Sequence, residues 1–236
     1  MAATEPRVRA VTIPNVRNMR TAAVVVLGAC TLAWATSASA DHLEPQNRLR
    51  TVDQKRAAAM LARKTDLGVG YAVERTSGLE PHLTCGALDE SDLVLTGHAK
   101  SPYWSREYQI VGSTAAIYRT SADARRSWER GASSAGMNCL RDEFRQEFAQ
   151  QGEAVRVAIR RLAFPTLGGA SFAHRLILSG AAAGSPAVYI DLVVIREGRG
   201  QVGLLFAGVV VPPPRATELS LARVVATRMA KAMRRS

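Results

Sequence analysis

Apolar and polar positions in the second half of the chain follow the two-residue period of β-strands. Apolar residues alternate with polar or small ones over residues 155–160 and again over 172–178, so each of these strands has one solvated face. Residues 188–195 and 202–211 are apolar at nearly every position, which is typical of central strands covered on both sides. The segment 196–200, rich in glycine and arginine, is predicted to join them as a hairpin loop.

Helical periodicity occurs in three places. Residues 53–64 have helical composition, residues 140–148 repeat an apolar side chain every four positions, and residues 215–234 carry an apolar stripe opposite a basic face. The middle helix is predicted to begin with Ser121 as its N-cap. Gly136 is expected to break or kink that helix.

Three further strands are predicted in the first half, over residues 71–75, 93–99 and 108–118. The element order is therefore α-β-β-β-α-β-β-β-β-α. Consecutive strands with short connections predict an antiparallel β-sheet packed with helices, which is the α+β class. We expect one domain over residues 51–236, preceded by a short polar linker at 41–50.

The first forty residues predict a cleaved signal peptide. Arg17 and Arg20 form a basic flank, residues 21–35 are uncharged and mostly apolar, and a small-x-small site ends at Ala40. The apolar run is shorter than the about 20 residues that a membrane-spanning helix needs. Cleavage after Ala40 is therefore favoured over an uncleaved anchor, and the protein is expected to be secreted or associated with the cell envelope.

Two alternatives at the N-terminus stay open. Met19 lies directly before the basic and apolar signal, whereas residues 1–18 contain Glu5 and two prolines, so Met19 is a more natural start. Cys30 ends a Leu-Gly-Ala-Cys sequence that resembles a lipobox, in which the cysteine would be acylated and would hold the protein at a membrane surface. Otherwise Cys30 is simply a small residue of the signal core.

Cys85 and Cys139 are the cysteines that remain after cleavage. In an oxidising compartment they are expected to form one disulfide, which would tie an irregular segment to a helix. The absence of a Cys-x-x-C motif argues against a redox role, and a lone cysteine pair without clustered histidines is a poor zinc site. No metal and no cofactor are predicted.

The charge of the chain is strongly basic. The formal net charge is +11, and loss of four arginines and one glutamate with residues 1–40 leaves +8. Such a surface favours contact with anionic lipid head groups or wall polymers. The basic residues are spread along the chain without interleaved aromatics, so nucleic acid is not expected as a partner.

Several motifs along the chain are similar to those of known exported proteins. Residues 65–71 read Thr-Asp-Leu-Gly-Val-Gly-Tyr, residues 116–124 run from a strand into a helix, and Cys139 follows about one helix later. With four strands and a basic C-terminal helix after it, this pattern resembles the PknH-type extracellular sensor domains and LpqN-like lipoproteins of actinobacteria. The resemblance implies a fold related to Mog1/PsbP, with helices bordering a cleft in an antiparallel sheet.

This chain departs from that family pattern in two ways. The kinase-linked sensor domains carry a second disulfide, for which no cysteine follows Cys139. Neither a kinase domain nor a transmembrane anchor is recognised, so signalling is not carried over. The resemblance implies only a non-enzymatic role in binding a ligand or partner, and no binding residue transfers.

No sequence motif indicates an enzyme. The glycine and serine spacing in residues 131–136 is not that of a nucleophile elbow, and no phosphate-binding loop is present. The histidines are scattered, and His174 on an apolar strand is predicted to be a satisfied core residue. Proximity of His98 or His174 to a serine and an acid would favour a hydrolase instead.

Two weak candidates for a ligand site remain. Asp191 interrupts an apolar strand and needs a buried partner; Arg175 is one candidate, and two arginines on a neighbouring strand, Arg156 and Arg160, are others. The group is either an internal ion pair or a polar anchor in a ligand cavity. The adjacent Tyr103 and Trp104 are placed in a turn, where they either cap the core or form the rim of a cavity.

The favoured function is a non-catalytic extracytoplasmic binding or sensor-like domain whose ligand, a small molecule or an envelope component, is not identified by the sequence. The alternative is an envelope-associated interaction protein that binds anionic surfaces through its basic face. A concave apolar pocket beside the sheet would support the first, and salt-sensitive binding to anionic vesicles would support the second.

Overall fold

The structure is a computed structural model that describes residues 43–74, 85–150, 154–180 and 185–234. The predicted signal peptide, the alternative start at Met19 and the candidate lipidation site Cys30 lie outside the described residues.

Nine strands form one sheet. Their bounds are β1 Gln46–Asn47, β2 Ala72–Glu74, β3 Val94–Lys100, β4 Tyr103–Arg106, β5 Gln109–Tyr118, β6 Val155–Arg161, β7 Ala170–Gly180, β8 Val188–Glu197 and β9 Gly200–Val209. The main path runs β1-β3-β5-β9-β8-β7-β6, while β4 pairs with β5 and with β2. The apolar strands β8 and β9 lie inside this path, as their sequences predict.

Four α-helices cover the sheet. Their bounds are α1 Thr51–Met60, α2 Ser121–Ala132, α3 Ser134–Gln150 and α4 Arg215–Met233. Helices α1 and α4 share one apolar core with one face of the sheet, and α3 shares a second core with the opposite face. The predicted α+β class is confirmed.

One strand pairing differs from the predicted antiparallel sheet. The segment predicted as a linker, 41–50, contributes β1, which pairs in parallel with β3. Backbone N–H groups of Gln46 and Arg48 donate to carbonyls of Leu93 and Leu95 at 2.9 and 2.8 Å. Because both residues of β1 are exposed, the strand has no apolar pattern in the sequence that could predict it.

The helix boundaries also differ in detail from their predictions. Thr120, not Ser121, is the N-cap of α2, and its side chain accepts a hydrogen bond from the backbone N–H of Asp123 at 3.0 Å. The predicted break lies at Ser133, which is extended with ψ 152°, rather than at Gly136. The Ser133 hydroxyl accepts from the Gly136 N–H at 2.9 Å, so the serine ends one helix and begins the next.

The turn between β8 and β9 contains only two residues, Gly198 and Arg199, instead of the predicted five-residue loop. Gly198 has φ 55°, which glycine adopts without strain. Arg199 donates to both carboxylate oxygens of Asp53 in α1 at 2.6 and 2.9 Å and to the carbonyl of Tyr118 at 3.1 Å. One side chain of the hairpin therefore holds the first helix against the sheet.

The predicted disulfide is present. Cys85 and Cys139 are bonded, with their Cα atoms 5.9 Å apart. Cys85 directly precedes a short 3₁₀ helix, Gly86–Leu88, so the bond attaches that segment to α3.

Candidate functional site

A cavity of about 130 Å³ lies between the sheet and helices α2 and α3. Strands β5, β7, β8 and β9 form its floor, and the segment around Leu43 and Cys85 forms part of its wall. An apolar cavity of about 150 Å³ is large enough to hold benzene. The size therefore suits a small organic molecule or one end of a larger one.

Two glycines lie on the same face of the cavity floor, Gly112 in β5 and Gly203 in β9. A Cβ atom on Gly112 would lie 2.4 Å from the ring of Tyr103, so the tyrosine fills the space above that glycine. A Cβ atom on Gly203 would lie 3.1 Å from the hydroxyl of Thr114. A larger residue at either glycine would therefore displace a neighbouring side chain of the floor.

Aromatic rings form one wall of the cavity. Trp128 of α2 meets Phe172 of β7 edge to face, with ring centroids 5.6 Å apart, and Phe172 meets His174 in the same way at 5.2 Å. Such pairs hold rings in fixed orientations. The arrangement presents a rigid, mostly apolar surface to a ligand.

Three lining residues carry a buried polar atom that has no hydrogen-bond partner among the described residues: Trp128 Nε1, His174 Nδ1 and Gln201 Oε1. Buried polar groups in native proteins are nearly always hydrogen-bonded, and leaving one unpaired costs about 1–3 kcal/mol. The presence of three such residues around one cavity marks it as the candidate binding site.

His174 is 6% exposed. Burial and the nearby Arg161 lower the pKa of its imidazole, which keeps the ring neutral at neutral pH. A neutral imidazole can either donate or accept at Nδ1. The prediction that His174 is a satisfied core residue is wrong, because its buried nitrogen has no partner.

A hydrogen-bonded cluster closes the polar end of the cavity. Ser127 Oγ donates to Glu90 Oε1 at 2.5 Å, and the Tyr118 hydroxyl lies 3.0 Å from Glu90 Oε2 and 2.7 Å from Ser127 Oγ. Gln201 Nε2 donates to Ser127 Oγ at 3.4 Å. Burial raises the pKa of Glu90. The hydroxyl of Ser127 therefore donates its hydrogen bond to a carboxyl group, and no described histidine accepts from it.

The structure separates the predicted pair Tyr103 and Trp104. They lie in β4, not in a turn, and neighbouring residues of a strand point to opposite faces. Tyr103 lines the cavity, while Trp104 is 4% exposed and belongs to the core on the α1 and α4 side. Each of the two predicted roles is therefore filled by one of the two residues.

Arg175 and Asp191 form a buried ion pair away from the cavity. Arg175 Nε donates to Asp191 Oδ1 at 2.6 Å and its Nη2 donates to the other oxygen; the residues are 8% and 0% exposed. Glu218 of α4 joins them, with Oε1 3.7 Å from Arg175 Nη2, and it accepts from Arg215 at 2.5 Å. Neither Arg175 nor Asp191 lines the cavity.

Burial and the adjacent Asp191 raise the pKa of Glu218 to about 8. At neutral pH Glu218 is therefore protonated, next to the hydrogen-bonded Arg175–Asp191 pair. Two roles were open for Asp191, an internal ion pair or a polar anchor in a ligand cavity. Its contact with Arg175, away from the cavity, fits the internal ion pair.

Sequence reasoning missed Trp128 and Gln201 as site residues. Both sit in periodic elements, where an inward-facing tryptophan and a single glutamine give no signal by themselves. Among the described residues, no group of three or more potential metal ligands is found. No described helix is long and apolar enough to cross a membrane.

No protein-family model matches the chain, and no curated protein matches it. Among solved structures, the chain is similar to the crystal structure of the extracellular domain of PknH from Mycobacterium tuberculosis, with a TM-score of 0.42 and 10% sequence identity. The similarity covers 78% of this chain and 97% of that chain. A likeness of this size carries no argument about ligand or activity, and nothing further supports the LpqN-like or Mog1/PsbP-like assignments.

Proposed function

We propose that this protein is a non-catalytic, sensor-like extracytoplasmic domain that binds a small, largely apolar ligand in the cavity beneath α2 and α3. The observation that supports this is that three lining residues, Trp128, His174 and Gln201, each carry a buried polar atom without a partner in the described part of the chain. A ligand that bonds to them would remove that cost on binding.

Two features support the extracytoplasmic and non-catalytic parts of the proposal. The Cys85–Cys139 bond is typical of oxidising compartments. Among the described lining residues, the hydroxyl of Ser127 is bonded to Glu90, whereas the buried nitrogen of His174 has no partner, so nucleophile and base are not assembled.

The proposal is tested by filling the cavity. Val194 of β8 lines it and is 6% exposed, so Val194→Phe places a ring in the hollow. Filling an empty cavity commonly stabilises a protein by about 0.5–2 kcal/mol. We expect a higher melting temperature for the ligand-free variant together with loss of ligand binding.

The ligand is sought by native mass spectrometry of the protein purified from its own host, and binding is then followed with toluene by ligand-observed NMR. Val73→Phe, at a 57% exposed position of β2, is the matched control and should bind toluene like the wild type. Equal toluene binding by Val194→Phe and the control would contradict the proposal.

A second candidate function is contact with anionic envelope surfaces. Arg156, Arg160 and Arg161 are exposed on the edge strand β6 and have no acidic partner among the described residues. Salt screens exposed charges, so binding to phosphatidylglycerol vesicles should weaken steeply when the salt concentration is raised from about 50 to about 500 mM. Reversing the first two with Arg156→Glu/Arg160→Glu should abolish it; unchanged partitioning at high salt would exclude this function.

A further inference from the structure

The charge of the cavity differs from that of the whole chain. The formal net charge is +11, yet no arginine or lysine is among the described lining residues, which include Glu44 and Glu90. An anionic group placed in the cavity would lose its hydration without gaining a cation. The basic surface therefore says nothing about what the cavity accepts.

The buried polar atoms without partners limit which polar group a ligand can carry. Trp128 Nε1 carries a hydrogen and can only donate, whereas Gln201 Oε1 can only accept. The glutamine amide is oriented by its other end, since Nε2 donates to Ser127 Oγ at 3.4 Å. A single hydroxyl or primary amide group can accept from the indole and donate to the glutamine oxygen, and neutral His174 can adapt to either role.

The remaining surface of the cavity is apolar, and the aromatic wall of Trp128, Phe172 and His174 fixes its shape. With a volume of about 130 Å³, it accommodates a compact ring or a branched hydrocarbon unit rather than an extended polar chain. The volume of the cavity, the absence of a cation among its described lining residues and the polar atoms of those residues all favour a compact, uncharged ligand with one polar group.

We infer that the ligand of this cavity is an uncharged molecule with a compact apolar body and one hydroxyl or primary amide group, held between Trp128 Nε1 and Gln201 Oε1. This inference rests on the proposed binding function and adds the chemical class of the ligand. It excludes ligands that place a carboxylate, phosphate or other anionic group inside the cavity.

Four commercial probes separate the contribution of a hydroxyl group to the affinity from the effect of a negative charge. Phenol and toluene have similar size but differ in the hydroxyl group; benzamide and benzoate have the same shape but differ in charge. Affinities are measured at pH 7 by ligand-observed NMR. We expect phenol to bind roughly 2- to 10-fold tighter than toluene, the range of one net hydrogen bond, and benzamide to bind more than roughly 10-fold tighter than benzoate.

Matched tryptophan variants test the position of the polar group. Trp128→Phe keeps an aromatic ring but removes the donor, so phenol should lose most of its advantage over toluene. Trp104→Phe, in the opposite core, should keep that advantage. Gln201→Met removes the acceptor and should also reduce the ratio of the phenol to the toluene affinity, by roughly 2- to 10-fold.

A measurement on the wild-type protein covers the case in which a variant does not fold. Phenol, but not toluene, should shift the Trp128 indole N–H resonance downfield, while the Trp104 indole serves as an internal reference. If phenol binds no tighter than toluene, or benzoate as well as benzamide, the inferred ligand class is wrong and the binding function stands. If none of the four probes binds, the binding function itself fails.

Discussion

Arg175 is the cation that neutralises the buried carboxylate Asp191, and its replacement by methionine tests the internal ion pair. The pair is bidentate and nearly free of solvent, with exposures of 8% and 0%. Arg175→Met keeps the aliphatic length of the side chain but leaves the buried carboxyl group of Asp191 without its cation. Removing one partner of a buried pair costs about 3–5 kcal/mol.

The same structure predicts a smaller loss for the double variant Arg175→Met/Asp191→Leu. Replacing both ions with apolar groups of similar size is often close to neutral, and the adjacent Glu218 is already protonated below about pH 8. We therefore expect the double variant to be at least about 2 kcal/mol more stable than the single Arg175→Met variant.

The assay is urea unfolding at pH 7, followed by circular dichroism, for the wild type and both variants. Arg156→Met on the exposed edge of β6 is the control and should change the free energy of unfolding by less than about 0.5 kcal/mol. If Arg175→Met lies within about 1 kcal/mol of the wild type, or the double variant is as unstable as the single one, Arg175 does not stabilise the fold by neutralising Asp191.

Three further results are expected. The pKa of Glu218 is raised to about 8, so the stability that its protonated form contributes is present below about pH 4.5 and is lost as the pH rises through 8; Glu218→Gln should flatten this decline in urea titrations, and an unchanged decline would refute the assignment. Burial alone would raise the pKa of Asp53, but hydrogen bonds led by that from Arg199 lower it to about 2; its contribution is present above about pH 3.8 and is lost as the pH falls toward 2, a loss in acid unfolding curves that Asp53→Asn should remove. Replacing both Cys85 and Cys139 with alanine should lower the free energy of unfolding by about 4 kcal/mol, since their sequence separation is 54; equal stability of oxidised and reduced wild type would contradict this.

The strands and helices of this fold were predictable because each buries one face against a core that its own sequence encodes. Residues 188–195 and 202–211 are apolar at nearly every position, and they form the inner strands β8 and β9. The elements that the sequence does not predict lack such a pattern. Both residues of β1 are exposed, and Ser101 and Pro102 before the aromatic pair of β4 are typical of a turn.

The cavity was not predictable, because its polar atoms come from three elements that are far apart in the chain. Trp128 lies in α2, His174 in β7 and Gln201 in β9, and each fits the local period of its element. The absence of a partner for His174 is a property of the folded surroundings and leaves no trace in sequence. The close approach of the Tyr103 ring to Gly112 is equally invisible there, since glycine in a strand has several other causes.

The contact between the β8–β9 turn and α1 has a consequence for how the chain is made. Asp53 precedes its partner Arg199 by 146 residues, so α1 emerges well before the turn when the chain appears from its N-terminal end. Until the turn has followed, Asp53 has Arg56 of its own helix but not Arg199 as a partner, and the sheet lacks β9. The first helix to be synthesised is therefore among the last to dock, and a chain truncated before residue 199 should leave it open to proteases.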